Sequence, residues 1–431
     1  MKYEQFIFES YEFDQISKVL NLRYAFDDAL HFTETFHFDF AFADYDSVAL
    51  DLAFQSLFFL AGISYFKMYV PSEIIIRNGA IDPDMAAFLS STYEKGLGEF
   101  FYINNLNPRT AVNFPQNIVA VRAVRTNSTG ILIGIGGGKD SLVSVELLRK
   151  SNLDIATWSL NHRPQLTPLI ERIGLPHYWV EREIDPQIQE LNEAGALNGH
   201  IPISAIFAAV GTVVGILSGR RDHVVSNEQS ANEPTLEYDG VAINHQYSKS
   251  QEFEQSYQAL LHGRFDDTQR YYSSLRPLSE LRIAEIFSSI GFEKYHDVFS
   301  SCNRAFTHDS DHMFWDGKCA KCAFVFLALT PFIERSTLET LFGGKNLLLD
   351  SSLQLTYRQL LGIEGNKPLD CVGEVKESRA AMELAFRQYP DLRAAYEFEL
   401  PDGYNWRSLA THAIPADVYD TLQSSLQNLP K

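Results

Sequence analysis

The first forty residues alternate. Phe6 and Phe8, then Leu20, Leu22 and Tyr24, then Phe32, Phe36, Phe38 and Phe40 recur at period two among polar partners. That period predicts antiparallel strands. An apolar helix is predicted from Asp51 to Phe66, a short strand from Glu73 to Arg77 after Pro71, and another helix from Met85 to Leu97. Residues 1–125 therefore read as an α+β domain. No chemical motif stands out there, and a lid or substrate-recognition module is the default expectation.

The pattern changes at Ser128. Ile131 to Ile135 is a short apolar run, as expected of a strand buried on both faces. A glycine-rich turn follows, then a helix from Ser141 to Lys150. Strands over Asp154–Leu160, His177–Val180 and His223–Ser226 alternate with helices over Leu166–Ile173 and residues 201–218. Gly174 suits a C-cap. Strands alternating with helices imply parallel βαβ units, so residues 126–260 are expected to form a doubly wound parallel-sheet α/β domain. The remainder, 261–431, reads as mostly helical. Ser279 caps a helix whose apolar face holds Ile283, Ile286, Phe287 and Ile290, and Cys322 to Leu329 is an apolar helix or strand stopped by Pro331.

Composition narrows the class. The 431 residues suggest two or three domains. With 45% hydrophobic and 21% charged residues the chain is an ordinary globular one. Net charge is −19, which disfavours a nucleic-acid face but leaves room for an anion in a locally basic pocket. Four cysteines (302, 319, 322, 371) are too few for a disulfide scaffold. The opening Met1-Lys2-Tyr3-Glu4 leads into no apolar signal region. Ile201–Ser218 is the longest uncharged run, short for a membrane span and expected as a buried helix. A cytoplasmic protein without a membrane partner is expected.

The decisive motif is Gly134-Ile135-Gly136-Gly137-Gly138-Lys139-Asp140-Ser141, leaving a strand and entering a helix. Glycines let the backbone approach a phosphate. The helix N-terminus adds its positive end. Ser141 offers a hydroxyl, Lys139 a cation, and Asp140 a ligand for Mg²⁺. A Walker A loop needs Ser or Thr directly after the lysine, and Asp140 intervenes. A Rossmann fingerprint needs Gly-x-Gly-x-x-Gly, which this spacing does not meet.

The loop resembles the pyrophosphate (PP) loop of the ATP pyrophosphatase superfamily, usually Ser-Gly-Gly-x-Asp-Ser. Gly136 replaces the first serine, at the cost of one hydroxyl donor, while Gly137, Gly138, Asp140 and Ser141 match. Further stretches narrow the resemblance: Asn198-Gly199-His200-Ile201-Pro202, Ser226 to Asn232, Val241 to Ser250 and Gly317 to Phe324. Gly343, Asn346, Lys367-Pro368, Cys371 to Glu374 and Phe8 to Tyr11 fit as well. They resemble the UDP-N-acetyl-α-D-muramoyl-L-alanyl-L-glutamate epimerase family over nearly the whole chain.

The resemblance implies a PP-loop fold and ATP-dependent inversion of a terminal L-glutamate in a UDP-muramoyl dipeptide, with AMP and pyrophosphate as products. An α-proton beside a free carboxylate is barely acidic, because the enolate would carry two negative charges. Adenylation removes one of them, so pyridoxal phosphate is not required. One or two acid–base groups must then reach the α-carbon. Asp140 and Lys139 act on ATP in this reading. Glu228 and His245 lie beyond strand ends, where open α/β sheets bind ligands, and Lys249 binds an anion or acts as an acid; a cap, an ion pair or a turn is the structural alternative for each. His200, Asn227, Asn232, Tyr247 and Arg276 are substrate-binding candidates, Arg276 against a surface salt bridge. Adenine is expected at Trp158–Asn161, near Ser159 and Asn161. Other adenylating enzymes (amide-forming, nitrile-forming or tRNA-thiolating) and a non-catalytic nucleotide-binding protein are the competing readings.

Cys319-x-x-Cys322 with Cys302 suits tetrahedral Zn²⁺, with Asp316, His308, His312 or Cys371 as a fourth ligand. Buried reduced thiols are the other expectation, and an iron–sulfur cluster a third.

Overall fold

The computed structural model describes residues 2–150, 153–306 and 310–429. Eleven strands form among them: β1 (Gln5–Asp14), β2 (Val19–Phe26), β3 (Leu30–Asp39), β4 (Glu73–Ile76), β5 (Ile131–Gly134), β6 (Ile155–Leu160), β7 (His177–Glu183), β8 (Asp222–Val225), β9 (Leu236–Tyr238), β10 (Val241–Ile243) and β11 (Arg270–Ser273). Nine join one sheet in the order β11-β8-β5-β6-β7-β3-β2-β1-β4, and β9 and β10 make a separate hairpin. The run β11-β8-β5-β6-β7 is parallel throughout. β7, β3, β2 and β1 pair antiparallel, and β4 adds to β1 in parallel. The protein is therefore α/β, around a large, mostly parallel sheet.

The expected divisions at 125 and 260 do not separate sheets. β3 hydrogen-bonds directly to β7, with Phe38 opposite Val180, and β11 lies beyond residue 260. Inside this seam the Glu34 carboxylate accepts from Arg182 Nε at 2.6 Å, with both side chains buried. Arg182 also donates to Ser64 Oγ at 2.8 Å. Burial pushes the Glu34 carboxyl up; the guanidinium opposes that shift.

Helices cover both faces. One face packs α1 (Ser47–Ala61), α2 (Pro83–Gly96), α5 (Ile203–Ser218) and α6 (Gln251–Phe265). The other packs α3 (Lys139–Leu148), α4 (Arg163–Ile173), α7 (Glu280–Ile290), α8 (Ala320–Leu329), α9 (Val375–Ala385) and α10 (Ala416–Gln427). Caps explain several boundaries. Asp46 accepts from Val48 and Ala49 N–H, and Ser279 from Arg282 N–H. α3 begins two residues before the predicted Ser141, because Gly138 is its N-cap. Gly174 closes α4 at φ 69°. The run Ser47–Phe66 is long and apolar enough to cross a membrane by length and composition, yet 83% of its apolar window is buried in the protein. α5, the expected buried helix, packs against α1 and the sheet.

Candidate active site

Sheet order reverses beside β5. β6 and β7 lie on one side of it, and β8 and β11 on the other. Crevices at such switch points, beyond carboxyl strand ends, receive ligands. A cavity of about 560 Å³ opens there, between the ends of β5, β6 and β8 and the segments around residues 301, 324 and 371.

The glycine loop forms its floor. Gly137 has φ +92°, a conformation costly for other residues. A Cβ there would sit 2.7 Å from the Phe306 ring. The Gly137 carbonyl accepts from Ser300 N–H at 3.0 Å, so a later segment holds the loop from behind. Around Gly136 the space is open. No side chain caps α3, which leaves its first N–H groups for an anion. Ser141 Oγ donates to the Gly138 carbonyl at 3.1 Å. Lys139 is buried between Asp140, at 2.6 Å, and Glu280. Burial alone would lower the lysine pKa; the two carboxylates outweigh it and hold the value above the ordinary one. Burial pushes Glu280 well up. Asp140 keeps about a third of its side chain exposed (31%) and lines the cavity.

Trp158, Ser159 and Leu160 line the wall at the end of β6, and Ser159 Oγ donates to the Ile135 carbonyl at 2.9 Å. Asn161 departs from expectation. Its side chain turns to β7, accepting from Arg182 N–H at 2.6 Å and donating to the Arg182 carbonyl at 3.2 Å. Asn227 and Glu228 line the cavity after β8. Arg276 is neither exposed nor part of the cavity lining. It is fully buried, binds Glu254 through Nε and Nη2, and donates to the carbonyls of Glu228 and Lys249. Its charge is met inside the protein by Glu254, and it ties two cavity segments together. Asn232 is exposed and accepts from Gln251 N–H at 2.6 Å. Tyr247 packs against Ser91 and Lys95. Neither lines the cavity.

Sequence reasoning missed three groups here: Cys371, Glu99 and Glu280. Cys371 faces the cavity, with Lys249 Nζ 3.2 Å from its sulfur. Burial would raise the thiol pKa. The Lys249 charge first, then His245 and Lys321, bring it down to about 6. Burial would lower Lys249; Cys371 and Glu228 raise it instead. Behind the thiol, His245 Nδ1 bonds the Glu99 carboxylate. Burial would lower this imidazole, but hydrogen bonds with Cys371 and Glu99 push it up to about 9. His200 lies against His245, ring centroids 4.4 Å apart. Burial and then the His245 charge lower it to about 4, so it packs as a neutral ring. Glu99 and Glu280 carried no local signal. Cys371 did, in the stretch 371–374, but drew notice only as a distant zinc ligand.

Of the proposed fourth ligands, Asp316 joins Cys302, Cys319 and Cys322. His312 is exposed and pairs with Asp311, Cys371 is engaged by Lys249, and His308 lies outside the described residues.

Comparison with known proteins identifies the family. Residues 1–274 match the model of the MurL N-terminal domain and residues 298–396 that of the MurL C-terminal domain. The chain belongs to the MurL family. It is 36% identical over 458 residues to a protein of Salinispora tropica, covering 99% of this chain and 98% of that one. It is 39% identical over 380 residues to one of Xanthomonas oryzae pv. oryzae, covering 86% and 83%. A Micromonospora protein is 38% identical over 350 residues, covering 80% and 77%. All three are named UDP-N-acetyl-alpha-D-muramoyl-L-alanyl-L-glutamate epimerase.

Proposed function

We propose that this enzyme, an epimerase in peptidoglycan precursor synthesis, inverts the terminal L-glutamate of UDP-N-acetylmuramoyl-L-alanyl-L-glutamate at the expense of ATP. One observation carries the reading: the glycine loop and the Cys371–Lys249 pair face the same cavity. The first suits a polyphosphate, the second proton transfer.

A glutamate carboxylate oxygen attacks the α-phosphorus of ATP, and the bond to the β-phosphate oxygen breaks. The free N–H groups of α3 and the Ser141 hydroxyl take the departing pyrophosphate, as in the PP-loop fold. Asp140 would hold Mg²⁺, which neutralises phosphate charge. Adenine lies along Trp158–Leu160. The acyl-adenylate acidifies the α-carbon, and the Cys371 thiolate takes its proton. Lys249 and Glu228 face the same cavity, and His245, hydrogen-bonded to the thiol and held protonated, keeps it a thiolate. Solvent delivers a proton to the opposite face, which inverts the centre; the thiol gives its proton up to solvent, and water then releases AMP. Asn227 contacts the dipeptide. A cytoplasmic location follows from both substrates, and neither nucleic acid nor membrane takes part.

The test is incubation with ATP, Mg²⁺ and the UDP-muramoyl-L-Ala-L-Glu substrate in D₂O. AMP, deuterium at the α-carbon and D-glutamate after hydrolysis are expected together. AMP without deuterium would move the protein to the amide-forming or thiolating enzymes. No AMP would leave a nucleotide-binding protein.

A further inference from the structure

The proposed reaction leaves three of the four cysteines unused. Cys302, Cys319 and Cys322 meet Asp316 so that one donor atom from each lies within 4.8 Å of the others. Cys319 and Cys322 sulfurs are 3.4 Å apart, and Cys322 sulfur is 3.2 Å from Asp316 Oδ1. A tetrahedral ion with Zn–S and Zn–O bonds of ordinary length sets such separations at about 3.5–3.8 Å. Local sequence builds the set. Cys319 caps α8 and Cys322 lies in its first turn. Gly317, at φ +67°, turns the chain back from Asp316. Asp316 Oδ1 accepts from the N–H groups of Lys318 and Cys319, and the Cys319 sulfur from Cys322 N–H. Asp316 Oδ2 is buried without a hydrogen bond, 3.5 Å from Arg304 Nε.

We infer that Cys302, Asp316, Cys319 and Cys322 bind one structural zinc ion. Three thiolates select a soft, borderline cation over Mg²⁺ or Ca²⁺, and four protein ligands leave no open position for catalysis. The set carries four negative charges against two on the ion. Arg304, Lys318 and Lys321, in the same segments, offset the surplus. Lys321, between the two α8 thiols, is thus compatible with a metal site.

The ion's position gives it a task. Cys302 N–H donates to Ser300 Oγ, which donates to the Phe314 carbonyl, while Ser300 N–H holds Gly137. Cys302, Lys321, Phe324 and Val325 also line the cavity. The zinc staples α8 and the Asp316 turn to the segment that backs the glycine loop. This assignment rests on the thiol cluster alone and stands whether or not the proposed reaction is correct.

The full-length protein, purified under reducing conditions without chelator, is assayed for metal by mass spectrometry. One zinc per chain is expected, retained through gel filtration and released by an organomercurial. Replacement by cobalt should give the intense visible bands of tetrahedral Co²⁺ and thiolate charge transfer in the near ultraviolet. Cys319→Ser with Cys322→Ser should lose both; if that variant does not fold, the wild-type cobalt spectrum decides. No zinc uptake after incubation with zinc sulfate, an octahedral cobalt spectrum, or iron with acid-labile sulfide would overturn the assignment.

Discussion

The antiparallel and parallel halves of the sheet share one hydrogen-bonded layer and use it differently. β1 to β3 return through short turns, with Asp27 and Asp28 at φ 50° and 55°. Such turns consume the chain at the strand ends. Their side chains become an aromatic core, in which Phe8, Tyr24 and Phe58 stack and cross, and Tyr24 Oη donates to the Phe58 carbonyl. Each buried ring of this kind contributes about 1.5–3 kcal/mol. In the parallel half every strand must leave by a crossover. Carboxyl strand ends therefore open into loops with N–H groups to spare, and the cavity lies there. One pairing rule makes a core, the other a site.

Four substitutions or titrations sharpen that contrast. Asp140→Ala in the open half should lower kcat/KM for AMP formation by about 10³-fold or more, on the order of 4 kcal/mol, with a smaller loss of stability than at the seam, because Glu280 still pairs with Lys139. A variant of full activity would detach the loop from the chemistry. Cys371→Ala should lower deuterium uptake and D-glutamate formation by about 10²–10⁴-fold while substrate-dependent AMP release continues. Parallel loss of both products would instead place the thiol in adenylation. At the seam the balance reverses. Glu34→Ala leaves Arg182 charged and buried, and should destabilise the fold by about 3–5 kcal/mol in urea titration, with kcat per folded molecule intact. The smallest effect is a pH profile. Cys371 must be deprotonated, so kcat/KM for inversion should rise as pH increases through about 6. His245 must be protonated, so it should fall as pH passes about 9. The two limbs belong to a coupled pair, and Cys371→Ser should remove the acid one.

Periodicity and caps were enough to read most elements, because they act within one turn or one pleat. Phe32, Phe36 and Phe38 alternate as β3 requires, and Ser279 caps the helix it precedes. The glycine loop was legible as a strand–turn–helix junction for the same reason, since it lies in eight consecutive residues. What could not be read is what only tertiary structure brings together. β11 is four polar and aromatic residues, and becomes a strand only because Tyr271 meets His223 of β8. Arg276 looks like a surface cation until its carboxylate partner Glu254 is placed beside it. Lys249 and Cys371 are separated by 122 positions, and no local rule joins them. The seam escaped notice because an edge strand shows nothing of the sheet it will extend.

The contact between Ser300 and Gly137 also bears on protein synthesis. Chains fold from the N-terminus as they leave the ribosome. The glycine loop, its flanking strands and β11 are all translated before Ser300, and Cys371 later still. A chain stalled before Ser300 therefore carries the glycine loop without the segment that backs it and without Cys371, and only the longer polypeptide unites the three.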